Sequence, residues 1–233
     1  MKTLVLLLLS CLTVSAQFEF GSGGGYSVRS LGSSANTGND ASETIAAYTP
    51  RIGTMLIAIV VNTKAATPDQ PNVTGNSLTW TELFDTNYLS THRLTIWSAK
   101  CGSGATPGTF VADTGATAQT GWAIGLVEIE GTYDTGLNGV NSRIQSVNAN
   151  VSAGTTITAT FGALRGGTLC LGLLGANLNG TAMTAEAGWT ELIDANFNTP
   201  ATEITVVGRV KNTDTTCAIS NAGAFSGCIV GIE

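Results

Sequence analysis

Charge is scarce in this sequence. Asp, Glu, Lys and Arg make up 11% of its 233 residues, and the 10 basic side chains are outnumbered by 16 acidic ones. No Lys/Arg cluster occurs, so neither a phosphate backbone nor an anionic bilayer would be attracted, and both nucleic acid and acidic lipid drop out as partners. Histidine is rarer still. The single one, His92, has no Gly-x-Ser-x-Gly elbow to serve, which argues against a Ser-His-Asp hydrolase and leaves His92 as an ordinary surface residue where a strand begins. No Cys-x-x-Cys and no Asp-x-Asp-x-Asp-Gly run is present, so neither a closed zinc site nor an EF-hand loop is encoded. No metal ligand set or cofactor is assigned, and calcium is left only the repeated carboxylates Glu82, Asp85, Glu191 and Asp194, read as lying beside turns. Beyond residue 16 no apolar run approaches the roughly 20 residues of a membrane span.

What is present begins with a leader. Met1-Lys2 is a short positive region, residues 3–9 are apolar, and Val14-Ser15-Ala16 is a small-residue cleavage site, so residues 1–16 read as a secretory signal peptide of a secreted or cell-surface protein. Leu8-Leu9-Ser10-Cys11 also fits a bacterial lipobox, which would leave a lipid-anchored Cys11 in place of a free Gln17. Residues 17–40 read as a flexible arm. Gln17-Phe18-Glu19-Phe20 alternates like a short strand and runs into Gly21-Ser22-Gly23-Gly24-Gly25, a composition that buries little; Phe18 and Phe20 are its candidate assembly contacts, on the chain's own sheet edge or a neighbour's.

From residue 41 onward, short β-branched runs alternate with turn residues, the pattern of an all-β fold. The run Thr54-Met55-Leu56-Ile57-Ala58-Ile59-Val60-Val61 is continuously apolar, hence a central strand. A nine-residue stretch occurs twice. Trp80-Thr81-Glu82-Leu83-Phe84-Asp85-Thr86-Asn87-Tyr88 and Trp189-Thr190-Glu191-Leu192-Ile193-Asp194-Ala195-Asn196-Phe197 agree at six positions, which calls for a repeat. Arg51-Ile52-Gly53-Thr54-Met55 is answered by Arg165-Gly166-Gly167-Thr168-Leu169, and residues 93–97 by 203–207. Leu126-Val127-Glu128-Ile129-Glu130 is answered by Ile229-Val230-Gly231-Ile232-Glu233. The halves, about 41–131 and 152–233, are each short of strands for a two-layer sandwich, so the expectation is one domain, 41–233, in which they interleave as a single jelly-roll-like β-sandwich with internal pseudo-twofold duplication.

The order Gly-Thr-Met-Leu-Ile at residues 53–57, Gly-Asn-Ser-Leu-Thr-Trp-Thr at 75–81, Arg-Leu-Thr-Ile-Trp-Ser-Ala at 93–99 and Ala-Ile-Gly-Leu-Val-Glu-Ile-Glu-Gly at 123–131 resembles uncharacterised jelly-roll, concanavalin-like domains of secreted bacterial and phage-associated proteins. The resemblance implies a fold and carries over no catalytic residue.

Four cysteines follow the leader. Cys217 and Cys228 flank the turn-forming Asn221-Ala222-Gly223, so a hairpin there would place them for a disulfide; buried free thiols are the alternative. A Cys101–Cys170 bridge is the other pairing considered. Asn72, Asn150 and Asn179 open Asn-x-Ser/Thr sequons in expected loops and permit glycosylation. Tyr88 and Phe197 occupy matching positions after the acidic loops, where they could serve as paired sugar-binding contacts. Glu128 and Glu130 alternate on one strand, as a glycosidase carboxylate pair would, although a solvated strand face explains them equally. The expected function is a non-enzymatic structural or interaction domain, a surface or filament subunit whose partner is itself. A carbohydrate-binding module for surface glycans, or a concanavalin-like glycoside hydrolase, are the alternatives.

Overall fold

The computed structural model describes residues 17–19, 26–131, 143, 145–165, 168–178, 180, 182–210 and 215–233. Among them there is no helix, and every ladder is antiparallel. The strands are β1 (Gln17–Glu19), β2 (Ser27–Asn36), β3 (Ser42–Tyr48), β4 (Met55–Thr63), β5 (Asn72–Gly75), β6 (Trp80–Leu89), β7 (His92–Lys100), β8 (Gly108–Asp113) and β9 (Gly121–Glu130). They continue with β10 (Ser146–Thr160), β11 (Leu169–Ala176), β12 (Thr184–Ala185), β13 (Thr190–Asn198), β14 (Ala201–Val210) and β15 (Thr216–Ile232).

Three sheets result: β1-β2-β9-β4-β7-β6, then β3-β8-β5, and β10-β15-β11-β14-β13 with β12 added on β15. The expected interleaving does not occur, because the first two sheets draw only on residues 17–130 and the third only on 146–232. Each half keeps its own strands and covers one face of its central strands with them, while the other face packs against the other half. In β4, Met55, Ile57, Ile59 and Val61 face one core, while Leu56, Ala58 and Val60 face another. That is the period of two expected of a strand, with both faces covered and hence no polar alternation to read.

The first core lies between β3-β8-β5 and the large sheet and includes Ile45, Phe110, Trp97 and Trp122. The second joins the two halves, with Ile57, Ile59 and Ile96 meeting Leu171, Leu173 and Val206. The third lies inside the second half. β10 and β15 are long, with register shifts between Val151 and Thr156, so their far ends and β12 fold over β11 and β14 and bury Ile157, Cys217 and Ile219 against Cys170, Leu174 and Val207. β10 and β15 thus do the work of β2 with β3 and of β9 with β8.

Two further expectations are corrected by this pairing. β2 is a ten-residue strand on β9 with Val28 fully buried, so the ordered fold begins well before residue 41. Its small polar residues carry no strand signal of their own; the ladder to β9 supplies it. Cys217 and Cys228 do not face each other across a hairpin. Both lie on β15, opposite Ala159 and Asn150 of β10, and all four cysteines from Cys101 onward are buried thiols outside any disulfide. The Asn221-Ala222-Gly223 stretch is absorbed as an irregularity between Phe225 and Ser220 instead of reversing the chain. Asn72 opens β5 and Asn150 lies within β10, both exposed but on strands and not in loops. Asn179 and Phe20 lie outside the described residues.

Candidate functional site

Most polar residues singled out above prove to hold the fold together. Glu128 is 1% exposed, not part of a solvated face. It accepts hydrogen bonds from Arg29 Nε at 2.5 Å, the Arg51 backbone N–H at 2.6 Å and Thr54 Oγ1 at 3.1 Å. Glu130 pairs with the Arg51 guanidinium and accepts from Ser27 Oγ at 2.9 Å; the Arg51 hydrogen bond holds its carboxyl below the usual range. Glu233 repeats the Glu128 arrangement. It accepts from Arg165 N–H and Thr168 Oγ1, both at 2.7 Å, and from Gln145 Nε2. The structural counterpart of Glu128 is therefore Glu233, two positions from where the sequence comparison put it. Fully committed carboxylates of this kind are poorly placed for acid–base chemistry on a glycoside.

Tyr88 and Phe197 are not surface platforms. Phe197 is 7% exposed, and both rings pack in the core between the halves. Each lies over a glycine of the other half: a Cβ on Gly121 would sit 2.5 Å from the Phe197 ring, and one on Gly175 would sit 3.4 Å from the Tyr88 ring. Burial pushes the Tyr88 hydroxyl well above its ordinary range. His92 is also buried, at 3% exposure. Its Nε2 lies 3.0 Å from the Ala201 carbonyl and 3.1 Å from Thr202 Oγ1, and its Nδ1 lies 2.9 Å from Thr91 Oγ1. A carbonyl only accepts, so Nε2 carries a proton; burial lowers the pKa of the ring and so favours its neutral form. The aromatic pair and the histidine tie the two halves together.

One place departs from this pattern, and ladder register identifies it. β6 on β7 and β13 on β14 share a bulge, since the pairing slips between Glu82 and Phe84 in one and between Glu191 and Ile193 in the other. Asp85 lies opposite Thr95 and Asn87 opposite Arg93; Asp194 lies opposite Thr205 and Asn196 opposite Glu203. Arg93 and Glu203 thus hold equivalent positions. In the first half, Arg93 makes a two-pronged pair with Asp85, Nε to Oδ1 at 2.6 Å and Nη2 to Oδ2, and donates to the Pro68 carbonyl at 3.2 Å. Thr95 Oγ1 meanwhile receives the Trp97 indole N–H at 3.1 Å.

In the second half the guanidinium is replaced by the Glu203 carboxylate and the indole by Val207. Glu203 is 1% exposed, and neither of its carboxylate oxygens nor Thr205 Oγ1 has a hydrogen-bond partner of ordinary geometry. Burial, then the charges of Asp194 and Glu191, push Glu203 up to about 7; the backbone at Met183 and the Thr205 hydroxyl temper the shift without satisfying the group. Burial also raises Asp194 and Glu191, both of which have exposed side chains. No group of three His, Cys, Asp or Glu among the described residues is spaced to hold a metal ion.

The repeated nonapeptide drew attention to Asp85 and Asp194 but not to the residue that meets them. The signal was present in the comparison of residues 93–97 with 203–207, where a cation is exchanged for an anion while the facing aspartate is kept. Neither family models nor curated proteins nor solved structures gave a match to this chain.

Proposed function

We propose that this chain is a secreted structural or interaction domain, a surface or filament subunit that joins its neighbours through the arm at residues 17–25. The observation that carries the reading is the pairing of β1 on the outer edge of β2, with Gln17 opposite Arg29, Phe18 opposite Val28 and Glu19 opposite Ser27. Three ladder pairs make a weak attachment, so the strand can exchange from its own sheet edge to that of another copy by β-strand addition. The outer edge of β10 in the second half carries no described strand and offers the same kind of template.

The two halves are read as copies of one jelly-roll-like unit, of the kind found in secreted bacterial and phage-associated proteins. The matching strand order, the shared bulge in β6 and β13, and the Glu128 and Glu233 arrangements support this. Multiangle light scattering on the chain with and without residues 17–25 tests the assembly mechanism: larger species that disappear on deletion are expected, and an unchanged monomer in both would end the reading.

A further inference from the structure

From the contrast between the two halves, we infer that Glu191, Asp194 and Glu203 form a receptor site for a guanidinium group supplied by another molecule, with Arg165 of a second copy as its occupant. Three observations carry this. The same backbone frame already binds a guanidinium once in this chain, where Asp85 grips Arg93 with both oxygens, a geometry specific to arginine. The second half keeps the aspartate as Asp194 but places a carboxylate where that guanidinium comes from, so a guanidinium in the equivalent place would come from outside. Finally, Glu203 is 1% exposed, and apart from weak contacts with the Met183 backbone and the Thr205 hydroxyl its oxygens have no hydrogen-bond partner of ordinary geometry; a carboxylate buried this way is costly.

Among the described residues no cation on the same face pairs with it. Arg209 lies six residues along β14, about 20 Å away at strand spacing, and is held over the Trp189 ring at 4.4 Å and against the Thr216 carbonyl at 3.2 Å. A divalent metal is the weaker alternative, since the three carboxylates do not converge at ligand distance.

The chain carries a matching cation. Arg51 pairs with Glu130, whereas its counterpart Arg165 has an exposed side chain, forms no close ion pair among the described residues, and acts on Glu233 only through its longer-range charge. Arg165 lies just before Leu169, which pairs with Val210 at one end of the β11–β14 ladder; Glu203 pairs with Ala176 at the other end. Those ends are about 23 Å apart. A contact between them joins unlike patches and propagates head to tail instead of closing a dimer. The site does not depend on the arm.

Thermal unfolding of the intact chain at neutral pH in millimolar arginine amide tests it, with glycinamide and CaCl2 as comparison arms. A rise of a few degrees with arginine amide alone is expected, absent in Asp194→Asn and in Glu203→Gln. No rise, an equal rise in both variants, or a response to CaCl2 at least as large overturns the assignment. The source is read separately by sedimentation velocity at low salt. If Arg165→Gln and Asp194→Asn each weaken self-association about tenfold, the guanidinium comes from a second copy. If the arginine amide response stands but Arg165→Gln leaves association unchanged, the site stands and the second-copy assignment falls. Chain lacking residues 17–25 is expected to retain the arginine amide response, so failure of the arm and failure of this site are distinguishable.

Discussion

Replacing Glu203 by Gln is expected to stabilise the protein, and only above mildly acidic pH. The carboxyl sits at about 7 in the fold, against about 4.3 for an unperturbed glutamate. Between those values the folded chain keeps a proton that the unfolded chain has released, so stability falls as pH rises through the window, and the full penalty is in place above about pH 7. At about 1.4 kcal/mol per pH unit, the largest loss this group can cause is roughly 4 kcal/mol. Asp194 and Glu191 are raised by burial as well and add a slope of the same sign; the Thr205 hydroxyl and the backbone at Met183 reduce it. Glutamine keeps the shape and abolishes the titration. Urea unfolding at pH 5, 6, 7 and 8 should therefore give two curves whose separation grows by about 2–3 kcal/mol from the acid to the alkaline end. A gap between parent and variant that is the same at pH 5 and pH 8 would refute the reasoning, because it would mean that Glu203 is not neutralised by its surroundings.

Two other outcomes follow from the same balance of burial and pairing. Glu128→Ala is expected to cost about 3 kcal/mol in denaturant unfolding, since it removes a fully buried carboxylate and leaves the half-buried Arg29 without its charge partner, while Glu233→Ala, whose side-chain partners Gln145 and Thr168 are neutral, should cost about 1–2 kcal/mol; equal losses would remove the charge argument. His92 is buried with its pKa lowered, so the unfolded chain takes up a proton first and stability should fall as pH drops below about 6.5; His92→Gln should flatten that acid limb, and an unchanged limb would show that another group causes it.

The strand positions were largely legible because strand formation in β4, β7 and β9 follows from local pattern: β-branched, apolar runs bounded by turn residues. The repeat was legible for the same reason, as a copied order of side chains. β2 and the continuation of β15 past Asn221-Ala222-Gly223 were not. Their residues are small and polar, and only a neighbouring ladder tells such a stretch whether to extend or to turn. The burial of Tyr88, Phe197 and His92 was hidden too, because a strand's own alternation does not reveal that a second sheet lies across it.

Local pattern alone settles the all-β class and the central strands, and it carries the exchange of Arg93 for Glu203 on which the proposed kinship of the halves bears. That the halves keep separate strands and meet through a shared apolar face, and that Glu203 is buried, follows from the assembled sheets and from no local run. The physical reason is one of range: side-chain periodicity and turn chemistry act between near neighbours, whereas desolvation and the pairing of charges depend on what the rest of the chain brings alongside.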